Sequence, residues 1–139
     1  VEASVTHWLN DNIQLASSVT YTTGKDETTD DYLTTLSPLS DNASVGYHGN
    51  DWYVRGVVTA VDSMSRVPTD DSIQTPGYAT VDLLAGITLT NWQVNLAARN
   101  LTDKYYVPYQ SVAGLQSEAS TEQYSQPGRS FGVQVKYTF

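Results

Sequence analysis

The sequence predicts an all-β chain: an antiparallel up-and-down transmembrane β-barrel segment of about seven strands. Three observations lead there. Seven stretches alternate apolar and polar residues with a period of two, as strands do when one face meets an apolar medium. The connections between them alternate strictly between short and long, as in membrane barrels, where one rim carries tight turns and the other extended loops. The stretches run to about 9–11 residues, the length a tilted strand needs to cross a bilayer.

The elements follow in order. Residues 1–8 set Val1, Ala3 and Val5 against Glu2, Ser4 and Thr6, and Asn10-Asp11-Asn12 makes a tight turn. The second stretch, Ile13 to about Thr23, opposes Ile13, Leu15, Val19 and Tyr21 to Gln14, Ser18, Thr20 and Thr22. A long polar loop runs through Gly24, the acidic run Asp26, Glu27, Asp30, Asp31, and Pro38. The third, about Ala43 to His48, ends in the short turn Gly49-Asn50-Asp51. The fourth, Trp52 to about Val61, sets Trp52, Val54, Val58 and Ala60 against Tyr53, Arg55 and Thr59, although Val57 and Val61 blur the pattern. A second long loop runs from Asp62 to Pro76. The fifth, Gly77 to Leu89, opposes Val81, Leu83, Ala85 and Ile87 to Thr80, Asp82, Gly86 and Thr88, and turns at Thr90-Asn91. The sixth, Trp92 to Asn100, opposes Trp92, Val94, Leu96 and Ala98 to Gln93, Asn95, Ala97 and Arg99. The longest loop, Leu101 to Arg129, leads to the last stretch, where Phe131, Val133, Val135, Tyr137 and Phe139 alternate with Gly132, Gln134, Lys136 and Thr138.

Composition agrees. Charged residues make up 16% of the chain, against about a quarter in ordinary soluble domains. The 10 Tyr, 3 Trp and 2 Phe, with abundant Thr, Ser and Val, are types that pack well on a pleated surface. No apolar run approaches the ~20 residues of a membrane helix, and no apolar 3.6-residue stripe stands out. A net charge of −8 argues against nucleic acid as a partner. The absence of Cys excludes a disulfide, a thiol nucleophile or a Cys-based zinc site. No signal peptide is present and Val1 opens inside a strand pattern, so the expectation is of a chain that began upstream.

Every backbone group of a membrane-spanning strand must find a partner, so the sheet has to close. Seven strands form an unlikely closed barrel, because bacterial single-chain barrels use even counts. The expected sidedness puts Val, Leu, Ile, Ala and aromatic side chains toward lipid and the polar set toward a wet or protein-filled lumen. Arg55, Arg99 and Lys136, with Asp82 and Glu2, are then expected to pair with one another or with an internal plug.

Four runs resemble a known family. Thr75-Pro76-Gly77-Tyr78-Ala79-Thr80-Val81-Asp82-Leu83, Ala97-Ala98-Arg99-Asn100-Leu101-Thr102-Asp103-Lys104-Tyr105-Tyr106, Gln126-Pro127-Gly128-Arg129-Ser130-Phe131 and a final strand ending on Phe139 are similar to the C-terminal segment of TonB-dependent outer-membrane receptors. The resemblance implies a larger, 22-stranded barrel. Residues 1–139 would be its C-terminal part, with the plug domain and N-terminal strands absent. It implies energised uptake of haem or a ferric siderophore across the outer membrane of a Gram-negative bacterium, with no enzymatic activity and no cofactor. The implied partners are outer-membrane lipid, the TonB complex acting through the missing plug, and the barrel-assembly machinery, which would recognise Phe131, Val133, Val135, Tyr137 and Phe139 as an assembly signal. The final strand would then descend to the periplasm, leaving the three long loops extracellular and Trp8, Trp52, Trp92, Tyr137 and Phe139 as a periplasmic aromatic belt. Tyr21 to Lys25, Leu36 to Leu39 and Glu122 to Arg129 are similar to the haem and haemoglobin receptors, although the "FRAP…NPNL" motifs and ligand histidine of that subfamily are missing from this segment. The alternatives are a passive small outer-membrane barrel, porin- or adhesin-like, and a soluble β-sandwich.

Candidate ligand contacts lie in the loops. Tyr32, Tyr105, Tyr106, Tyr109 and Tyr124 are loop-side rings, and tyrosine can ligate haem iron, although loop packing explains them as well. The stretch Tyr105 to Gln123 is the favoured ligand-facing or lid segment. His7 and His48 fall near the tight turns, on the opposite rim. The acidic run lacks the spacing of a calcium loop. No nucleophile, base and acid stand at catalytic spacing, and no metal triad stands out.

Overall fold

The computed structural model describes residues 1–116 and 120–139. They form one antiparallel meander in which each of the seven strands bonds only its neighbours in sequence: β1 (Glu2–Trp8), β2 (Ile13–Thr20), β3 (Ser40–His48), β4 (Trp52–Val61), β5 (Tyr78–Thr88), β6 (Trp92–Arg99) and β7 (Ser130–Tyr137). The short turns share one rim and are closed by local polar groups. Asn10 Oδ1 accepts from the backbone N–H groups of Asn12 (2.9 Å) and Ile13 (2.8 Å), and Asn91 Nδ2 donates to the Thr138 carbonyl (2.9 Å).

Register decides which side chains share a face, because the side-chain period of a strand is two. One row across the sheet is Leu15, Val45, Gly56, Leu83, Ala98 and Phe131; the next is Ile13, Tyr47, Val54, Ala85, Leu96 and Val133. Leu83, Leu96 and Val133 are 44%, 50% and 70% exposed, so this apolar face lies open instead of converging on a dry interior. A soluble sandwich would bury that face; a membrane barrel presents it to hydrocarbon. The other face is cross-linked by polar side chains: Thr59 Oγ1 donates to Asn42 Oδ1 (2.7 Å), Arg55 Nη2 to Ser44 Oγ (2.8 Å), and Tyr53 to Asn95 Oδ1 (3.3 Å).

Three expectations need correction. Of the two partners expected for the polar-face charges, one another or an internal plug, the first is not found: the one ion pair among the described residues is Lys25–Asp30, in the first long loop. Register explains this, since it sets Arg55 opposite Gly46 and Leu84, Lys136 opposite Gln93, and Glu2 opposite Thr20. Trp8 shares its row with Gln14, Gly46 and Arg55, so it lies on the polar face, with its ring 5.2 Å from that of His48. The outward aromatic belt is therefore built from Tyr47 stacked on Trp52 (5.2 Å) and Trp92 against Tyr137 (4.7 Å), with Phe139 edge-on to Tyr137. Strand bounds also differ: β2 stops at Thr20, β3 begins three residues early at Ser40, and the strands span seven to eleven residues. Ser40–Asn42 are polar on both faces, which hides a strand from a test of alternation, yet they pair with Val61–Thr59. Two short helical turns lie within the last long loop, α1 (Tyr109–Val112) and a 3-10 turn at Glu122–Tyr124.

Candidate functional site

The buried apolar residues lie at the loop rim, not between sheets. Each long loop contributes one side chain to a single cluster: Leu36 from the first, Met64 from the second and Tyr109 from the third, flanked by Tyr32, Val67 and Ala113. Val112 and Ile73 are also buried. Methionine suits such a junction because its flexible thioether fills irregular gaps. Backbone and side-chain bonds tie the loops together: Ile73 N–H donates to the Leu115 carbonyl (3.1 Å), Gln110 Nε2 to Ser37 Oγ (2.8 Å), and Arg66 Nη1 to the Tyr21 hydroxyl (2.7 Å). The loops thus form one packed canopy.

The acidic run at the canopy edge is organised by its own backbone. Asp26 Oδ1 accepts from the N–H groups of Thr28 (2.7 Å) and Thr29 (3.2 Å), which holds its carboxyl below the usual carboxylate range. The hydrogen bond from Lys25 to Asp30 (3.0 Å) raises the Lys25 ammonium above its ordinary value. No group of three His, Asp or Glu residues among the described residues is placed to hold a metal ion.

Beneath the canopy, three of the sequence runs meet at the loop ends of β5, β6 and β7. Asn100 is buried and adopts a positive φ of 49°, a conformation Asn tolerates better than most residues. Its Nδ2 donates to the Lys104 carbonyl (2.9 Å), its Oδ1 accepts from the Lys104 N–H (2.9 Å), and its own N–H donates to Asp82 Oδ1 (2.8 Å). Asp103, also at positive φ, accepts through Oδ1 from the Arg129 N–H (2.7 Å). Gly128 fits closely beside it: a Cβ there would lie 2.5 Å from that same Oδ1, so a larger residue would displace the Asp103 carboxylate from its bond to Arg129. Gly77 is required where it stands, since a Cβ would lie 2.9 Å from the Val61 backbone carbonyl oxygen. Tyr78 stacks on Tyr106 with ring centroids 4.0 Å apart. Burial, and then the Asp82 carboxylate, push the Tyr106 phenol up, so it stays neutral at physiological pH. Beside them lies a cavity of about 440 Å³ on the polar face, lined by Tyr78, Asp82, Arg99, Asn100, Tyr106 and Gln126 among others.

The five candidate tyrosines separate. Tyr105 is exposed, Tyr106 is held in the stack, and Tyr124 is partly buried at the 3-10 turn. Tyr32 packs against the canopy core with Lys25 Nζ 5.2 Å from its ring centre. Tyr109 departs most from the expected loop-surface ring: it is buried, its hydroxyl has no hydrogen-bond partner, and burial pushes its phenol up. Of the favoured segment Tyr105 to Gln123, Ser117, Glu118 and Ala119 lie outside the described residues. Phe131, Val133, Val135, Tyr137 and Phe139 are all exposed, with the first four in one row along the outward face of β7. His48 faces inward and His7 shares the outward row of Leu15. Sequence reasoning missed the stapling roles of Asn100 and Asp103; the signal was present as two residue types that accept a left-handed turn, four positions and one position before Lys104.

Residues 1–101 match the family described as TonB dependent receptor-like, beta-barrel. No curated protein matches the chain. Among solved structures the chain is similar to the copper transporter OprC, at 24% identity over 99% of this chain and 23% of that one, with a TM-score of 0.89. It is also similar to a mutant of the ferric enterobactin receptor PfeA from Pseudomonas aeruginosa (23% identity, 99% and 22% coverage, TM-score 0.78). A third likeness is to the siderophore receptor PirA from Acinetobacter baumannii (19% identity, 99% and 21% coverage, TM-score 0.74). At such identities the likeness is one of fold, and the chain spans less than a quarter of each of these proteins.

Proposed function

The chain belongs to the TonB-dependent receptor β-barrel family, an outer-membrane family of transport receptors and not of enzymes, and from that premise we propose that it serves energised uptake of a metal chelate. Residues 1–139 form the C-terminal wall of a larger barrel in a Gram-negative outer membrane, whose remaining strands close the sheet and whose plug meets the TonB complex. The proteins it resembles in fold bear the names of siderophore receptors and a copper transporter, which supports a ferric siderophore as the cargo ahead of haem. The loop resemblance to haem receptors keeps haem as the second cargo to test. Phe131, Val133, Val135, Tyr137 and Phe139 present the regular row of an assembly signal to the barrel-assembly machinery. Tyr32, Tyr105, Tyr106 and Tyr124 supply ligand-facing rings, and Tyr109 props the canopy from within.

One observation carries the reading: three long loops gather into one packed canopy at the rim opposite the tight turns, above a polar inner face and beside a lipid-facing apolar one. The test is accumulation of ⁵⁵Fe-labelled siderophore, and separately of haem, by cells expressing the intact receptor with and without TonB. Uptake of one of the two that requires TonB is expected. Uptake that persists without TonB, or a steady ionic conductance of the receptor in planar bilayers, would favour a passive barrel instead.

A further inference from the structure

We propose that the three long loops act as one unit during transport, so that cargo passes the rim without the loops parting from one another, an inference that rests on the transport reading above. Ordering a polar loop costs conformational entropy, which buried apolar surface has to offset. Here that surface is common property. The cluster takes Leu36 from the first loop, Met64 from the second and Tyr109 from the third, with Tyr32, Val67 and Ala113 packed against it. Withdrawing any one loop would leave the other two lining a void, so the order of each depends on the presence of the rest.

Polar contacts join the same segments. Ile73 N–H donates to the Leu115 carbonyl (3.1 Å) and Ser72 forms an antiparallel bridge with Gln116, so the second and third loops share a short strip of sheet. Gln110 Nε2 ties the third loop to Ser37 of the first (2.8 Å), and Asp62 N–H joins the second to the Leu39 carbonyl of the first (2.8 Å). The loops are also closed at their feet. Met64 and Thr75 exchange both backbone bonds (2.9 and 3.3 Å), and Gln126 N–H donates to the Tyr106 carbonyl (3.0 Å). A loop fastened in this way lacks a free hinge on which to swing out alone. The tip of the first loop differs, because Thr28 and Thr29 are exposed and bond to Asp26 within their own turn.

Two experiments on the intact receptor test this. In the first, hydrogen exchange is followed at the Met64, Thr75 and Leu115 amides, each bonded within its own loop. In the unmodified receptor they should open together as urea is raised. Leu36→Ala, a change in the first loop, should speed exchange in the second and third by a common factor of about 30 or more, and leave Thr28 and Thr29 unchanged. Unequal opening, or acceleration confined to the first loop, would overturn the inference. In the second, Ser72→Cys and Gln116→Cys are combined, in a chain that has no cysteine of its own. An antiparallel bridge holds its Cα atoms about 4.5–5.5 Å apart, within the span a disulfide closes. TonB-dependent uptake of ferric siderophore, or of haem, should be the same with the pair oxidised or reduced. Uptake lost on oxidation and regained on reduction would show that the loops must part, and a pair that does not oxidise would show that they are not joined there; either result leaves the transport reading intact. A receptor that takes up neither cargo would overturn the transport reading, while the exchange measurements would still decide whether the loops are coupled.

Discussion

Leu96→Arg in the intact receptor tests the sidedness on which the structure depends. Leu96 lies on the apolar face, 50% exposed, between Ala85 and Val133. It stands four residues from the turn end of β6, about 13 Å along the strand at roughly 3.3 Å per residue. With a tilt near 40° that is about 10 Å of depth, close to the middle of an apolar band about 25 Å tall. An arginine there should cost about 2–4 kcal/mol, a roughly 30- to 1000-fold shift in the folding equilibrium. Asn95→Arg changes the adjacent residue at nearly the same depth on the opposite face, where the lumen is polar, and should cost only about 1 kcal/mol, from the long hydrogen bonds with Tyr53 and Gln134 that it gives up. Folding into phospholipid vesicles across a urea series, scored by heat-modifiable mobility on gels, measures both. If Asn95→Arg is the costlier change, the faces have been assigned backwards.

Other perturbations probe the rim. Met64→Ala removes the side chain at the meeting point of all three loops and should cost about 2–5 kcal/mol of canopy stability, seen as faster cleavage of the loops by added protease while the barrel stays intact. Tyr109→Phe removes a buried hydroxyl that has no partner, so the same assay should show equal or greater resistance. Asn100→Ala loses both side-chain bonds to Lys104 and the tolerance of positive φ; a loss of about 2–4 kcal/mol is expected, measured by urea unfolding in vesicles. The Asp26 carboxyl lies below its unfolded value, so the order it lends its turn is complete above the usual carboxylate range and disappears as pH falls through the depressed value. Amide exchange at Thr28 and Thr29, corrected for its intrinsic pH dependence, should lose protection on acidification, and Asp26→Asn should remove that pH dependence.

The strands, their faces and the rim at which the long loops gather were legible in the sequence, because alternation with a period of two is a local property. Each strand reports its own sidedness through residues such as Val81, Leu83, Ala85 and Ile87 without reference to any partner. The turns were legible for the same reason. Asn10 and Asn91 act within their own hairpins or on the adjacent strand end.

Contacts between distant segments were not legible. That Leu36, Met64 and Tyr109 form one core depends on three loops meeting in space, and a lone apolar residue in a polar loop looks alike whether it is buried or solvated. Trp8 was counted in the aromatic belt because its position near the rim was read and its parity along β1 was not. The lack of ion pairs between polar-face charges follows from register, which sets Lys136 beside Gln93 and gives the Asp82 carboxylate to Asn100. The alternation of hydrophobicity along each strand therefore determined the wall, whereas only the tertiary structure decided the canopy, because burial depends on which chain segments come within a few ångströms of each other.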